Sequence, residues 1–369
     1  MEMTEEQART LANLLHKYPL YGMAVIFMII VLVSILLTWI CTTASNSRKA
    51  ELKEVKKARK NIDYMSAQDA PKTEEATKEQ MRGSLERKRL AWTVLVAGLV
   101  LRLIIPAVGA VVLIAGIVLL VRNGKEFTRE AVAGNDPDTL YRRNYLVPAL
   151  RSAFGESLEY NKNTCITDPG MYKALPEPQN SDYFDGIEAG DYVSFNIKEN
   201  KFEISEQKIF AKDDEGTYVI FDGTIYKTGY KRTLTGHVRI VPTKIVRGRE
   251  VQDRYPKQKK LVEQKIETDN ILFNEHFDVY ATSREEAIFV LNPIVINYFV
   301  DHIGEELSFY AEETNLYFAC HGKKNKIFVA PKTLGQVDAL SLEGACQEVR
   351  KEADAIYELV QVINGRSAI

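Results

Sequence analysis

Acid–base and metal chemistry need imidazoles and carboxylates that converge, and this chain offers few of either in a telling arrangement. Its five histidines stand at positions 16, 237, 276, 302 and 321, with no two at metal-ligand spacing. His276 follows Glu275 and His302 follows Asp301, so each could sit in a site, but surface or capping roles explain both more simply. Glu285-Glu286 and Glu312-Glu313 are carboxylates adjacent in sequence. General acid–base work needs two carboxyls facing across a cleft with their pKa values pushed apart. Such pairs are better read as the first turn of a helix, where negative charge is favourable, and as a hairpin turn. The four cysteines, Cys41, Cys165, Cys320 and Cys346, form no CxxC pair. The chain has no phosphate-binding GxxxxGK[ST] loop, no GxSxG elbow, no HExxH and no dinucleotide fingerprint. These residues predict no catalytic set, no metal site and no cofactor. The enzymatic alternative is a hydrolase-like site gathering Glu206, Asp222, His276 or Cys320 in a concave pocket.

Basic residues are the other group with chemistry to offer. Lys53, Lys56, Lys57, Arg59 and Lys60 crowd a helix-forming stretch, and Arg247, Arg249, Lys259 and Lys260 belong to a second run. Both can attract an anionic lipid surface or an acidic partner. Tyr255 is the single aromatic residue of the second run, so stacking platforms for single-stranded nucleic acid are missing. The formal net charge of -2 conceals a division. Residues 42–89 carry +5, whereas 122–369 carry -7. An acidic domain beside a basic segment is not expected to bind nucleic acid.

The elements that must position these groups begin with two apolar runs. Residues 18–47 contain no Asp, Glu, Lys, Arg or His, and residues 90–121 contain only Arg102. A membrane-crossing helix needs about 20 apolar residues. Tyr18, Tyr21 and Trp39 flank the first run, at the depth where aromatic rings prefer headgroups. The second is too long for one straight span and divides near Arg102–Pro106 into limbs of ~22 Å. Arg102 at the bilayer centre would cost roughly 2.5–3.5 kcal/mol, whereas at a turn it reaches water. Pro106 and Gly109 favour a bend there. A hairpin also keeps the linker's cations and Arg122, Lys125 and Arg129 on one side, expected to be the cytoplasm. The expected division is an N-terminal tail 1–17, a transmembrane helix 18–41, a charged linker 42–89, an apolar hairpin or long transmembrane helix 90–121, a connector helix 122–157 and a soluble domain 158–369.

In the soluble part, Asp136-Pro137 opens a helix ending at Gly155, with Leu140, Val147, Leu150 and Phe154 on one face. The period then falls to two. Residues 192–197, 202–209, 217–228 and 235–242 read as strands of an antiparallel meander. Residues 273–281 alternate again, 284–302 read as a helix, and 307–311 with 316–320 form a hairpin. Residues 326–330 follow as an extended piece, and a helix over 342–363 closes the chain. The fold class is α+β: N-terminal transmembrane helices, then a mainly antiparallel sheet with flanking helices.

The words Gly190-Asp191-Tyr192, Phe202-Glu203-Ile204-Ser205-Glu206 and Phe221-Asp222-Gly223 recur in order with Phe273-Asn274, Phe277-Asp278-Val279-Tyr280-Ala281 and Ala287 through Leu291-Asn292-Pro293. Over about residues 89–369 this order resembles a bacterial membrane-anchored family, domain of unknown function 3137. The extra first run and long linker depart from that family's plan. The resemblance implies the α+β layout and the apolar hairpin, and no activity. The expectation is a non-catalytic binding or scaffold protein in the inner membrane, its partners the lipid bilayer and another protein. A lipid-binding envelope structural protein is the third alternative.

Overall fold

The computed structural model describes residues 49–50, 53–55, 57, 62, 64–65, 74–175, 185–197, 200–213, 216–243, 245–246, 249–250, 263–322 and 326–364. They fall into two compact units, one of residues 1–57 and 90–132, the other of residues 58–89 and 133–369.

The first unit is built on the apolar half of helix α1 (Glu74–Ile104) and on α2 (Pro106–Val132). Pro106 has no N–H to donate and suits the first position of a helix, so the chain turns at Ile105. The two helices then run antiparallel along a glycine seam. A Cβ on Gly109 would stand 2.0 Å from the Arg102 backbone nitrogen, one on Gly98 2.5 Å from that of Leu113, and one on Gly116 2.7 Å from the Leu95 Cα. Positions 95, 98 and 102 share one face of α1, and 109, 113 and 116 share one face of α2. Away from the seam, Leu90, Trp92, Val96, Leu99, Val100, Ile104, Val111 and Val118 are exposed. One helical stretch of the described residues, Val108–Phe154, contains a window long and apolar enough to cross a membrane. The transmembrane helix expected over 18–41 lies outside the described residues, and α1 with its charged first half does not pass that test.

The second unit is an α+β domain around one nine-stranded sheet. Its strands are β1 (Glu159–Lys162), β2 (Gly186–Ile197), β3 (Asn200–Asp213), β4 (Gly216–Gly229), β5 (His237–Pro242), β8 (Gln264–Ile266), β9 (Phe277–Ala281), β10 (Glu306–Glu312) and β11 (Asn315–His321). A separate ribbon pairs β6 (Ile245–Val246) with β7 (Arg249–Glu250). The large sheet runs β1-β2-β3-β4-β11-β10-β5-β9-β8, and every neighbouring pair is antiparallel. Period-two alternation divides its side chains between two faces. On β10 and β11, Phe309 and Phe318 enter one core while Tyr310 and Tyr317 enter another. The first face is covered by α4 (Val147–Phe154), α8 (Pro293–Asp301) and α10 (Leu342–Asn364), through Leu150, Phe299, Val349 and Ile356. The second packs on α5 (Pro169–Lys173) through Met171. Within this unit the charged start of α1 is not merely solvated: Met81 is fully buried in the core beside Leu146 and Leu150.

Several expected elements take another form. Residues 271–276 make α6 (Ile271–His276) rather than the start of a strand, because the Asn270 side chain accepts a hydrogen bond from the Phe273 N–H at 2.9 Å and caps a helix. The helix expected over 284–302 is two, α7 (Arg284–Val290) and α8. Pro293 disfavours helical backbone at Asn292, whose side chain instead caps α8 by accepting from Ile294 and Val295. Lys326–Phe328 is a 3-10 turn, not an extended segment. The helix after Asp136 is α3 (Pro137–Tyr141), a π-helical turn over Arg142–Leu146, and α4.

Candidate functional site

Two backbone irregularities aim one buried ion pair. The π-turn carries Arg142. On the sheet, Gly190 and Asp191 of β2 together oppose the single residue Glu206 of β3, a bulge. Only glycine fits at 190, since a Cβ there would lie 2.8 Å from the Glu206 carbonyl oxygen. Arg142 then donates to Asp191 through both arms of its fork, Nε to Oδ1 at 2.9 Å and Nη2 to Oδ2 at 2.8 Å. Nη2 also donates to the Phe328 carbonyl at 3.0 Å, and Nη1 to Asp138. Tyr160 donates its hydroxyl to Asp191, and Lys162 pairs with Asp138. Burial alone would lower the Arg142 pKa, but the Asp191 carboxylate outweighs it and holds the group above its usual range. Burial, then the Asp191 charge, pushes the Tyr160 hydroxyl well above ordinary phenols. Lys162 is lowered, by burial and by the neighbouring Arg142 charge. Two cations balance two carboxylates. Chemically this is a clamp joining the π-turn, β1, β2 and the 3-10 turn.

A second cluster lies on β5. His237 Nε2 stands 2.9 Å from Glu263 Oε1, Arg239 Nη2 donates to Glu263 Oε2 at 2.6 Å, and the Arg239 guanidinium lies 4.8 Å from the Tyr280 ring centre. Thr282 Oγ1 is 3.0 Å from His237 Nδ1 and accepts the His237 backbone N–H at 3.0 Å. Thr282 and Glu263 thus engage the two imidazole nitrogens from opposite sides. This order of hydroxyl, imidazole and carboxylate superficially matches a hydrolytic relay. Yet His237 is only 5 % exposed and both its nitrogens are engaged. Burial alone would raise the Glu263 pKa, but the His237 hydrogen bond and the Arg239 charge outweigh it and hold the carboxyl below its usual range. The cluster ties the edge β8–β9 pair back to β5.

The first unit holds a groove of about 750 Å³ lined, among the described residues, by Ile114, Ile117, Val118, Val121, Arg122, Lys125, Glu126 and Arg129. These positions follow one stripe of α2, at i, i+3, i+4, i+7 and onward, turned away from the glycine seam. Arg122 pairs with Glu126 at 3.3 Å. A second cavity, in the core under Tyr230 and Phe309, holds about 10 Å³, scarcely one water.

The groups singled out in the sequence fall variously. Lys53 and Lys57 are helical and exposed. Arg249 is in β7, its backbone paired with Val246. Lys56, Arg59, Lys60, Arg247, Lys259 and Lys260 lie outside the described residues. Neither cavity touches Glu206, Asp222, His276 or Cys320. Asp222 faces Lys208 at 3.8 Å across the β3–β4 pair. Among the described residues no three His, Cys, Asp or Glu gather as metal ligands. Sequence reasoning did not single out Arg142, although an arginine between the apolar positions Leu140 and Val147 was the available signal. It likewise treated Gly109 as a bend marker, when its spacing with Gly116 marks a helix contact.

These features define an α+β domain on a wholly antiparallel sheet, joined in sequence to an apolar helical hairpin. Residues 219–364 match the pattern of a family described as protein of unknown function (DUF3137). The match runs from β4 to α10, taking in the Glu263 cluster. It is shorter than the resemblance over 89–369, and leaves outside it Gly190-Asp191-Tyr192 and the β3 residues 202–206. No curated protein matches the chain. Among solved structures, the chain is similar to the crystal structure of the mycobacterial trehalose monomycolate transport factor A, TtfA, at 13% sequence identity and a TM-score of 0.31, covering 59% of this chain and 96% of that one.

Proposed function

We propose that the chain is a membrane-anchored binding or scaffold protein. Its hairpin over 90–121 lies in the lipid of the cell membrane, and its α+β domain stands on the cytoplasmic side to engage another macromolecule. The observation that carries this reading is the glycine seam of α1 and α2. Helices that meet backbone to backbone through small residues, with their large apolar side chains turned outward, suit a lipid solvent. In lipid, association rests on close packing rather than on hiding apolar surface. In water the same outward surface, Leu99, Val100, Val111 and Val118 among it, would be a large exposed apolar patch. The domain adds apolar residues of its own on three consecutive helices, Ile271 and Leu272 on α6, Ile288 and Phe289 on α7, and Ile294 on α8, all exposed. Patches of this kind suit a protein partner. Two fusions test the reading, with alkaline phosphatase and with a fluorescent protein at Ile369. Fluorescence without phosphatase activity, in cells whose membranes retain the chain through alkaline carbonate washing, is the expected result. Phosphatase activity would place the domain outside, and release by carbonate would remove the anchor altogether.

A further inference from the structure

We propose that Arg102 pairs, inside the bilayer, with an aspartate or glutamate on a transmembrane helix of a different membrane protein. The inference rests on the membrane-anchored reading above and gives the chemistry of the partner. Arg102 lies in the last turn of α1, three residues before the chain turns at Ile105. It stands twelve residues beyond Leu90, where the apolar run begins, or ~18 Å at 1.5 Å per residue. The return limb gives the same depth. Gly109, where an added Cβ would meet the Arg102 backbone nitrogen at 2.0 Å, stands twelve residues before Val121. In a hydrocarbon core roughly 30 Å thick, the Arg102 backbone is therefore close to the midplane. Its Cα–Cβ bond tilts toward the N-terminus of α1, so the stem leans back along the helix and away from the far headgroups. Arg102 is exposed, and among the described residues no hydrogen bond or ion pair engages it. By contrast, Arg122 meets Glu126 at 3.3 Å and Arg142 is forked onto Asp191. Arginine keeps its charge at any accessible pH, and ionisable groups at such depth pair with an opposite charge. The chain has none to give. Residues 18–47 and 90–121 contain no Asp or Glu, so neither its own apolar runs nor those of a second copy supply a carboxylate. A carboxylate on a foreign span can meet the guanidinium fork in a two-point contact, and each partner then offsets the other's cost of standing charged in lipid. Leu99, one turn before Arg102, and Ile104 and Ile105 beyond it are exposed, giving the partner helix an apolar surface around the charge.

The experiment uses the full chain purified in a mild detergent and biotinylated model helices of about 20 leucines and alanines. One helix carries aspartate at its centre, one carries leucine there, and one carries aspartate at its end. The expected result is capture of the parent chain by the central-aspartate helix about tenfold better than by the other two, the scale of one interhelical polar contact in lipid. Arg102→Leu makes the span more apolar and leaves the Gly109 contact with the backbone in place. It should lose the preference, and Arg102→Lys should keep part of it. Equal capture by the central-aspartate and leucine helices, or an unchanged preference in Arg102→Leu, would overturn the proposal. Depth is checked separately with Arg102→Cys in a chain whose native cysteines are changed to serine. A membrane-impermeant maleimide should label that position from neither face of sealed vesicles. Labelling from the far face would put the side chain among headgroup phosphates and equally overturn the pairing. A chain that resists carbonate washing yet shows no aspartate preference refutes the pairing alone, whereas carbonate release refutes the anchor beneath it.

Discussion

Arg142 shows how much one buried cation can govern. Its five donors meet a carboxylate at each side and a carbonyl, and replacing it with alanine strands Asp191 in the core without its counter-charge. Removing one partner of a buried pair costs about 3–5 kcal/mol. Arg142→Ala should therefore lower stability by that amount in urea denaturation of the full chain. Arg142→Lys should recover only part, because an ammonium cannot make the forked contact. Equal stability of the parent and the alanine variant would remove the clamp from the account. Glu263 supplies a pH-dependent counterpart. Its carboxyl is held below the usual range in the folded chain, so the unfolded chain binds that proton more readily. Its contribution is full above about pH 4.5 and is lost as pH falls through the lower folded value. Thermal melts from pH 7 down to pH 3 should show this loss, and Glu263→Gln should flatten the acid limb and lower stability at neutral pH by removing the carboxylate that Arg239 and His237 contact. A Glu263→Gln chain with the same acid limb as the parent would contradict the assignment.

At the scale of elements, the α1–α2 contact depends on the absence of side chains. Gly109→Val would drive a Cβ into the Arg102 backbone, which cannot yield as a flexible side chain could. Cysteines at Ala91 and Leu120, facing residues by continuation of the seam's register, should cross-link readily in the parent background and several-fold less in Gly109→Val. Undiminished cross-linking would mean the helices do not meet through that glycine. Asn292→Ala should cost about 1 kcal/mol, since it removes the side-chain cap of α8. The same elements show what can be read from sequence. Strands β2 to β5 and the β10–β11 hairpin were legible because alternation and turn residues act locally. The α7–α8 break was carried in Asn292-Pro293, yet the apolar stripe running through it outweighed the stop in the reading. Residues 273–276 misled for a related reason: Phe273 and Phe277 share a face at helical spacing, and the alternation of the following strand extended backward over them. The π-turn and the bulge at Gly190-Asp191 were invisible, because each exists to join residues far apart in the chain. The candidate groups Glu206, Asp222 and His276 were legible as residue types, but only tertiary placement could tell that neither of the two cavities described above is lined by them.

For the whole molecule, the proposed topology has residues 90–121 enter lipid as a hairpin and return to the side they came from. Single cysteines at Arg89 and at Arg122 bracket that segment. They would be introduced one at a time into a chain whose Cys41, Cys165, Cys320 and Cys346 are changed to serine, and probed with a membrane-impermeant maleimide in sealed right-side-out and inverted vesicles. For a hairpin, both positions should be labelled in inverted vesicles and both protected in right-side-out ones. Labelling of the two positions from opposite faces would contradict it.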